Sequence, residues 1–441
     1  MYKFSKLTSV ILFLVITITA NSQDRMPFSV KLEPLLIDGF TGIHSYCWAQ
    51  ADDKILLIGG RTDGLHKRQP FASFKALYNN TEVIVIDPLT GKIWKKSLLS
   101  LEPGLADQLQ SSNMEFIQDG NQLLLAGGYG YSTEKGKHLT YPYLVVIDVK
   151  ELIESVIENK DIKNNIRRIP DENMAVTGGK LNKLGEIFYL TGGHRFDGAY
   201  NPHGPDHGPG YSQLYTNQIR KFRLTSNGEN WKITGYDTVT DTMLLHRRDY
   251  NLLPHTDKYG NRMFTMYAGV FQYAKDLPFT TLVDISAESL KEIPGFNQQF
   301  CHYHTAGFPI HNQSTQTEYS LFFGGIAMNF IDSSGRVVGD SNVPFVKHIS
   351  VVERKDDQFI EYTMQADMNG YYGASAEFIP AISTGLFDDG MLEFNKLKTG
   401  EQLVGYIPGG IMSKGPNVLW SNNPDASKAS PVIWKVYLTK K

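Results

Sequence analysis

Six times along the chain a short apolar run stops at a glycine pair or its remnant. The runs are Ile55-Leu56-Leu57-Ile58-Gly59-Gly60, Leu123-Leu124-Leu125-Ala126-Gly127-Gly128, Ile187-Phe188-Tyr189-Leu190-Thr191-Gly192-Gly193 and Ser320-Leu321-Phe322-Phe323-Gly324-Gly325. Met263-Phe264-Thr265-Met266-Tyr267-Ala268-Gly269 keeps one glycine, and Val404-Gly405-Tyr406-Ile407-Pro408-Gly409-Gly410 is the last. Self-similarity at a long period implies a repeat architecture, in which each unit is one supersecondary element.

The residues around each run complete the unit. A second apolar strand follows, as in Val83-Ile84-Val85-Ile86-Asp87 and Leu144-Val145-Val146-Ile147-Asp148. A turn and a third strand come next, clearest in Asp87-Pro88-Leu89-Thr90-Gly91-Lys92-Ile93-Trp94, where Pro presets φ and Gly supplies a permissive position. One more strand precedes each run, expected near residues 44–50, 111–117, 173–178, 248–254, 301–309 and 371–380. Helical periodicity is confined to Lys150–Glu158, in a connection. Four antiparallel strands repeated six times do not make a flat sheet, and radial repetition removes most exposed edges. The aromatic content of 12% fits an all-β chain.

The glycine pair, the Val-Ile-Asp strand after it and the Trp after a glycine-containing turn resemble a kelch repeat. The chain is therefore similar to the galactose oxidase/kelch-like superfamily over residues 24–441. The resemblance implies a six-bladed kelch-like β-propeller with four antiparallel strands per blade. The units are longer than the kelch period of about 50 residues, an excess assigned to loop insertions. The last unit ends after its third strand, and an orphan strand, Phe28-Ser29-Val30-Lys31-Leu32, stands near the N-terminus. That strand is expected to complete the last blade and close the ring.

Lys3 and Lys6, an apolar stretch from Leu7 to Ala20, and Ala20-Asn21-Ser22 read as a signal peptide over residues 1–22, cleaved before Gln23. Residues 23–441 are then a single domain, secreted or periplasmic and monomeric, with no transmembrane segment. Lys+Arg 43 against Asp+Glu 46 excludes a general nucleic-acid binder. The two cysteines, Cys47 and Cys301, exclude a disulfide-dense scaffold and leave at most one bridge.

In such a fold the loops after the glycine pairs gather at one channel mouth with the starts of the inner strands. The loops are 61–80, 129–143, 194–216 and 326–345. His44, Arg61, His194, Arg195, Arg247 and Tyr371 are the ligand-binding candidates for a glycan or a protein partner. The resemblance also covers sialic-acid mutarotases and copper oxidases. His246, Arg247 and Arg248 are the acid/base and anion-binding candidates for sugar chemistry. His302 and His304, two apart on an expected strand, share a face, and with His44 and Cys301 form the candidate Cu or Zn set. A His-rich loop, His194 to Tyr211, is the remaining polar cluster. Phosphate-cradling, dinucleotide, zinc-protease and serine-hydrolase motifs are absent from the sequence.

Overall fold

A computed structural model describes residues 26–201, 207–228, 230–419, 421, 423 and 425–441. The expected signal peptide lies outside the described residues, as do His203 and Asp206 of the His-rich loop.

The chain is all-β, built on antiparallel sheets, with short helices at Pro103–Leu109 and Val149–Ile157. Six sheets each contain a run of four antiparallel strands. The first holds Cys47–Ala51, Lys54–Ile58, Glu82–Asp87 and Lys92–Ser97. Ser112–Asp119, Gln122–Ser132, Tyr143–Asp148 and Ile166–Pro170 form the second. The third has Lys180–Leu184, Ile187–Thr191, Gln218–Asn227 and Asn230–Thr240. Asn251–Thr256, Arg262–Tyr267, Val283–Ile285 and Leu290–Glu292 make the fourth. Gly307–Asn312, Thr317–Phe323, His348–Lys355 and Gln358–Asp367 make the fifth. The sixth combines Ile379–Pro380, Gly400–Pro408 and Ile433–Lys440 with the N-terminal strand Phe28–Leu35. That N-terminal strand pairs with Ile433–Lys440 over its whole length, from Phe28 opposite Lys440 to Leu35 opposite Ile433.

Apolar alternation on both faces of each sheet leaves two surfaces to bury. Each sheet buries them against its neighbours in chain order. One core joins Leu56 and Val85 of the first sheet to Leu123 and Val145 of the second. Equivalent cores join second to third, third to fourth, fourth to fifth and fifth to sixth. Ile55 and Leu57 of the first sheet then pack with Ile379, Tyr406 and Ile433 of the sixth.

Hydrogen bonds connect the sheets in the same order. Ser45, Gly178, Asp249, His304 and Ser375 stand before five of the inner strands, Asn113 is the second residue of the other, and all six have positive φ. The amides of Asn113, Asp249, His304, Ser375 and Ser45 donate to the carbonyls of Ser45, Gly178, Asp249, His304 and Ser375, at 3.2, 2.7, 2.8, 2.7 and 2.8 Å. The Thr177 hydroxyl makes the remaining link to the Asn113 carbonyl, at 3.1 Å.

These left-handed residues shift the strand starts from the expected ones. The third inner strand begins at Lys180, after a single turn at Glu172–Met174. The fifth begins at Gly307, so residues 301–306 are not a strand. In the sixth unit Tyr371–Ala374 pairs instead with Ile411–Ser413.

The glycine pairs have a common cause. Both members lie at positive φ in all six units, and Ala268 fills the first position at φ 51°. Space is short as well: a Cβ on Gly127 would stand 1.9 Å from the Val176 carbonyl oxygen. In five units the second glycine donates its N–H to the next sheet, as Gly128 does to Val176 at 2.9 Å. In the fourth unit the corresponding carbonyl, that of His302, is taken by the Asn251 amide at 2.9 Å. Left-handed backbone costs a non-glycine residue about 1–2 kcal/mol. Ala268→Gly is therefore expected to raise stability by about 1 kcal/mol, read as a higher urea midpoint. An unchanged or lower midpoint counts against this account of the pairs.

Candidate functional site

Repeat register builds one cavity. In every unit the residue after the glycine pair bridges to the residue before the left-handed position. The bridges are Arg61 with His44, His194 with Thr177, Val270 with Arg248 and Ile326 with Tyr303, and the same pairing joins Tyr129 to Ser112 and Ile411 to Ala374. All twelve line a cavity of about 180 Å³, together with Ser45, Asn113, Asp249, His304 and Ser375. Loops add Phe74, Phe196, Tyr200, Phe271, Phe345 and residues 416–419.

Neutral hydrogen-bonding groups form much of its polar surface. Arg248 donates to His194 Nδ1 at 3.3 Å. A guanidinium has no acceptor, so Nδ1 carries no proton. Gln213 Nε2 lies 2.8 Å from the same nitrogen. Burial, then the neighbouring Arg248 charge, holds His194 well below its ordinary pKa. Burial also lowers His44 and His304, against the pull of Asp63 and Asp249. His44 Nδ1 lies 3.0 Å from Ser45 Oγ, while its buried Nε2, 3.6 Å from Asp63, has no hydrogen-bond partner. His304 Nδ1 is 3.7 Å from Asp249 and 3.4 Å from Ser375 Oγ.

The charges in the cavity are largely balanced internally. Asp63 grips Arg61 with both oxygens, at 2.9 and 2.8 Å, and Asn79 takes another Arg61 N–H at 3.0 Å. Burial raises the Asp63 carboxyl, but His44 and Arg61 outweigh it and hold it at about 2. Arg248 is 3% exposed. It sits 3.5 Å from Asp249 and 3.4 Å from the Tyr200 hydroxyl, with Phe271 at 5.1 Å from its guanidinium carbon. One wall is aromatic, with Phe74 5.0 Å from Tyr200 and 5.2 Å from Tyr129, and Phe196 5.1 Å from Tyr200 between ring centres.

Of the residues singled out from the sequence, His44, Arg61, His194, Arg248 and His304 meet in this cavity. Others do not reach it. Arg247, one residue from Arg248, points the opposite way. It is 1% exposed, bonded to Thr281 O and Oγ1 at 2.7 Å, and stacked 4.2 Å over Phe279, and burial pushes its pKa down to about 10. Arg195 likewise follows His194 and pairs with Glu172 and Asp197. His246 is stacked between Tyr215 and Tyr273, both 3.8 Å away. Tyr371 packs at the Phe345–Ala374–Ile411 cluster, beside Lys347.

The candidate metal set is also dispersed. Positive φ at Cys301 and His304 removes the strand that was to align the two imidazoles. His302 turns to Gly324 O at 2.6 Å and His348 Nε2 at 3.1 Å. Cys301 donates to Gln298 O at 3.0 Å, Cys47 to Met114 O at 3.6 Å, and both cysteines are buried and free. Among the described residues no three His, Cys, Asp or Glu side chains converge on a metal position. The residues present do not fit the copper or zinc centre considered from the sequence.

Sequence reasoning missed Ser375 and Phe271, and it covered Tyr200 only as part of the expected 194–216 loop. The signal that finds Ser375 is its register with Ser45 and His304; Tyr200 and Phe271 lie in loops outside the repeat. No helix among the described residues is long and apolar enough to cross a membrane. Compared with known proteins, the chain matches no family model and no curated sequence.

Proposed function

We propose that the chain is an exported, six-bladed kelch-like β-propeller that binds one sugar residue of a glycan in the cavity described above. Support for the propeller comes from the closed order of sheet contacts and hydrogen bonds, and from the pairing of the N-terminal strand with the last sheet. The observation that carries the binding reading is the meeting of an aromatic wall with neutral polar groups around internally paired charges. A sugar ring has apolar faces that stack on aromatics and hydroxyls that take fixed hydrogen bonds. About 180 Å³ is below the roughly 300 Å³ at which drug-sized pockets begin, which fits a single ring.

Calorimetric titration with a panel of mono- and oligosaccharides tests this. His194→Ala and Tyr303→Phe are each expected to weaken binding about tenfold, the loss of one buried hydrogen bond. Equal affinity of wild type and both variants, or no binding across the panel, overturns the reading.

A second reading, sugar mutarotation, draws on two imidazoles that line one cavity, each beside a carboxylate, His44 near Asp63 and His304 near Asp249. Those pairs can supply the acid and base of ring opening. Of the three residues first considered for that role, only Arg248 lines the cavity.

A further inference from the structure

A second cavity, of about 330 Å³, lies at the far ends of the same inner strands. Among the described residues, a neck of about 20 Å³, room for one water, lies between it and the first. Asp249 and His304 line the neck on one side, and Lys180 and Glu377 on the other. A ligand the size of a sugar does not pass through it.

The second cavity has an apolar wall and an unspent polar one. Trp48 and Phe116 meet edge to face at 6.2 Å. Lys180 and Asn182 share one face of the strand Lys180–Leu184. Among the described residues, neither the Asn182 amide nor the Trp48 indole N–H has a hydrogen-bond partner in the protein. Every lining cation is paired: Lys180 with Glu377 at 3.0 Å, Lys183 with Asp119 at 2.7 Å, Arg262 with Asp389 at 3.2 Å. No net charge is left to recruit an ion.

The remaining wall is an excursion of the sixth unit that the repeat does not require. Phe387–Asp388 and Met391–Glu393 form a small hairpin there. Leu392 lies parallel to Ile310 of the fifth sheet, and Arg262 of the fourth holds Asp389 and, at 3.3 Å, the Met391 sulfur. The cavity is thus closed by an added segment latched to two other sheets.

We propose that this second cavity is a separate binding site for a neutral polyhydroxylated ring, a sugar residue stacked on Trp48 and hydrogen-bonded by Asn182. A chain with sugar sites at opposite ends bridges two glycan segments, and two linked contacts bind more tightly than either alone.

The test is calorimetric titration of the full chain with glucose, galactose, mannose, N-acetylglucosamine and their β-linked dimers. The variants are Trp48→Ala, Trp48→Phe, Asn182→Ala and His194→Ala, each first checked for an unchanged thermal transition. A binding step weakened at least tenfold by Asn182→Ala and Trp48→Ala, less by Trp48→Phe, and untouched by His194→Ala supports the proposal, whatever the first cavity does. A single step lost only in His194→Ala overturns it and leaves the first site standing. No binding to any sugar of the panel overturns both.

Discussion

A chain shortened to residues 36–441 is expected not to fold. The missing strand is the edge partner of Ile433–Lys440 along its whole length. It also carries Met26, Phe28 and Val30 into the core shared by the fifth and sixth sheets. Phe28 is fully buried and meets Tyr319 edge to face at 5.4 Å. Without the strand, the long Ile433–Lys440 edge is bare and open to pairing with another chain. Truncation should give insoluble protein, or soluble protein with no cooperative melting by circular dichroism. The graded version is Phe28→Ala, expected to cost about 3–5 kcal/mol, a large part of the roughly 5–15 kcal/mol that typically separates folded from unfolded states. Adding a synthetic peptide of residues 26–36 should restore cooperative melting to any soluble truncated chain. A truncated protein that melts like the full chain would falsify the structural role of this strand.

The parts of this fold legible in the sequence are those where geometry allows one residue type. A pair of left-handed residues pressed against the next sheet admits glycine almost exclusively, so five of six units display both glycines. The apolar strand before each pair is legible for the same reason, since it is buried on both faces. The six linking residues are different. One left-handed residue in an open turn tolerates Ser, Asn, Asp or His, and those types stand at five of the six positions, with no shared mark. The expected inner-strand starts therefore lie up to eight residues early, as in the sixth unit (371 against 379). That error carries into the site. Arg248 and His304 lie in register with the cavity, while Arg247, one residue off, and His302, two residues off across an irregular lead-in, do not. The far cavity was not legible at all, because its outer wall comes from an excursion outside the repeat.

Acid should unfold the protein well above the pH at which ordinary carboxylates protonate. Seven histidines, His44, His138, His194, His255, His302, His304 and His348, are held below the ordinary value of 6.5, in every case chiefly by burial. His255 and His302 fall to about 4 and His348 to about 2. Below pH 6.5 the unfolded chain takes up protons on these groups before the native one does. Their contribution is thus complete above 6.5 and is lost as pH falls toward 4. Three buried carboxyls act in the opposite sense. Burial raises Glu115 to about 8, and Glu318 and Glu361 to about 7. Their contribution is complete below 4.5 and is lost as pH rises through 7 to 8. Between pH 4.5 and 6.5 the two sets oppose, and the lowered histidines outnumber the raised carboxyls. Each net proton is worth about 1.36 kcal/mol per pH unit. A typical stability of roughly 5–15 kcal/mol is then spent within a few pH units. Stability should peak near pH 6.5–7, and the melting temperature should fall steeply from pH 6 to 4.5. His255 alone accounts for roughly 3 kcal/mol of the loss, so His255→Gln should flatten the slope by about one proton. A melting temperature constant from pH 6.5 to 5 would mean that these imidazoles are hydrated in the native state, and with them the sealed packing between sheets would have to be given up.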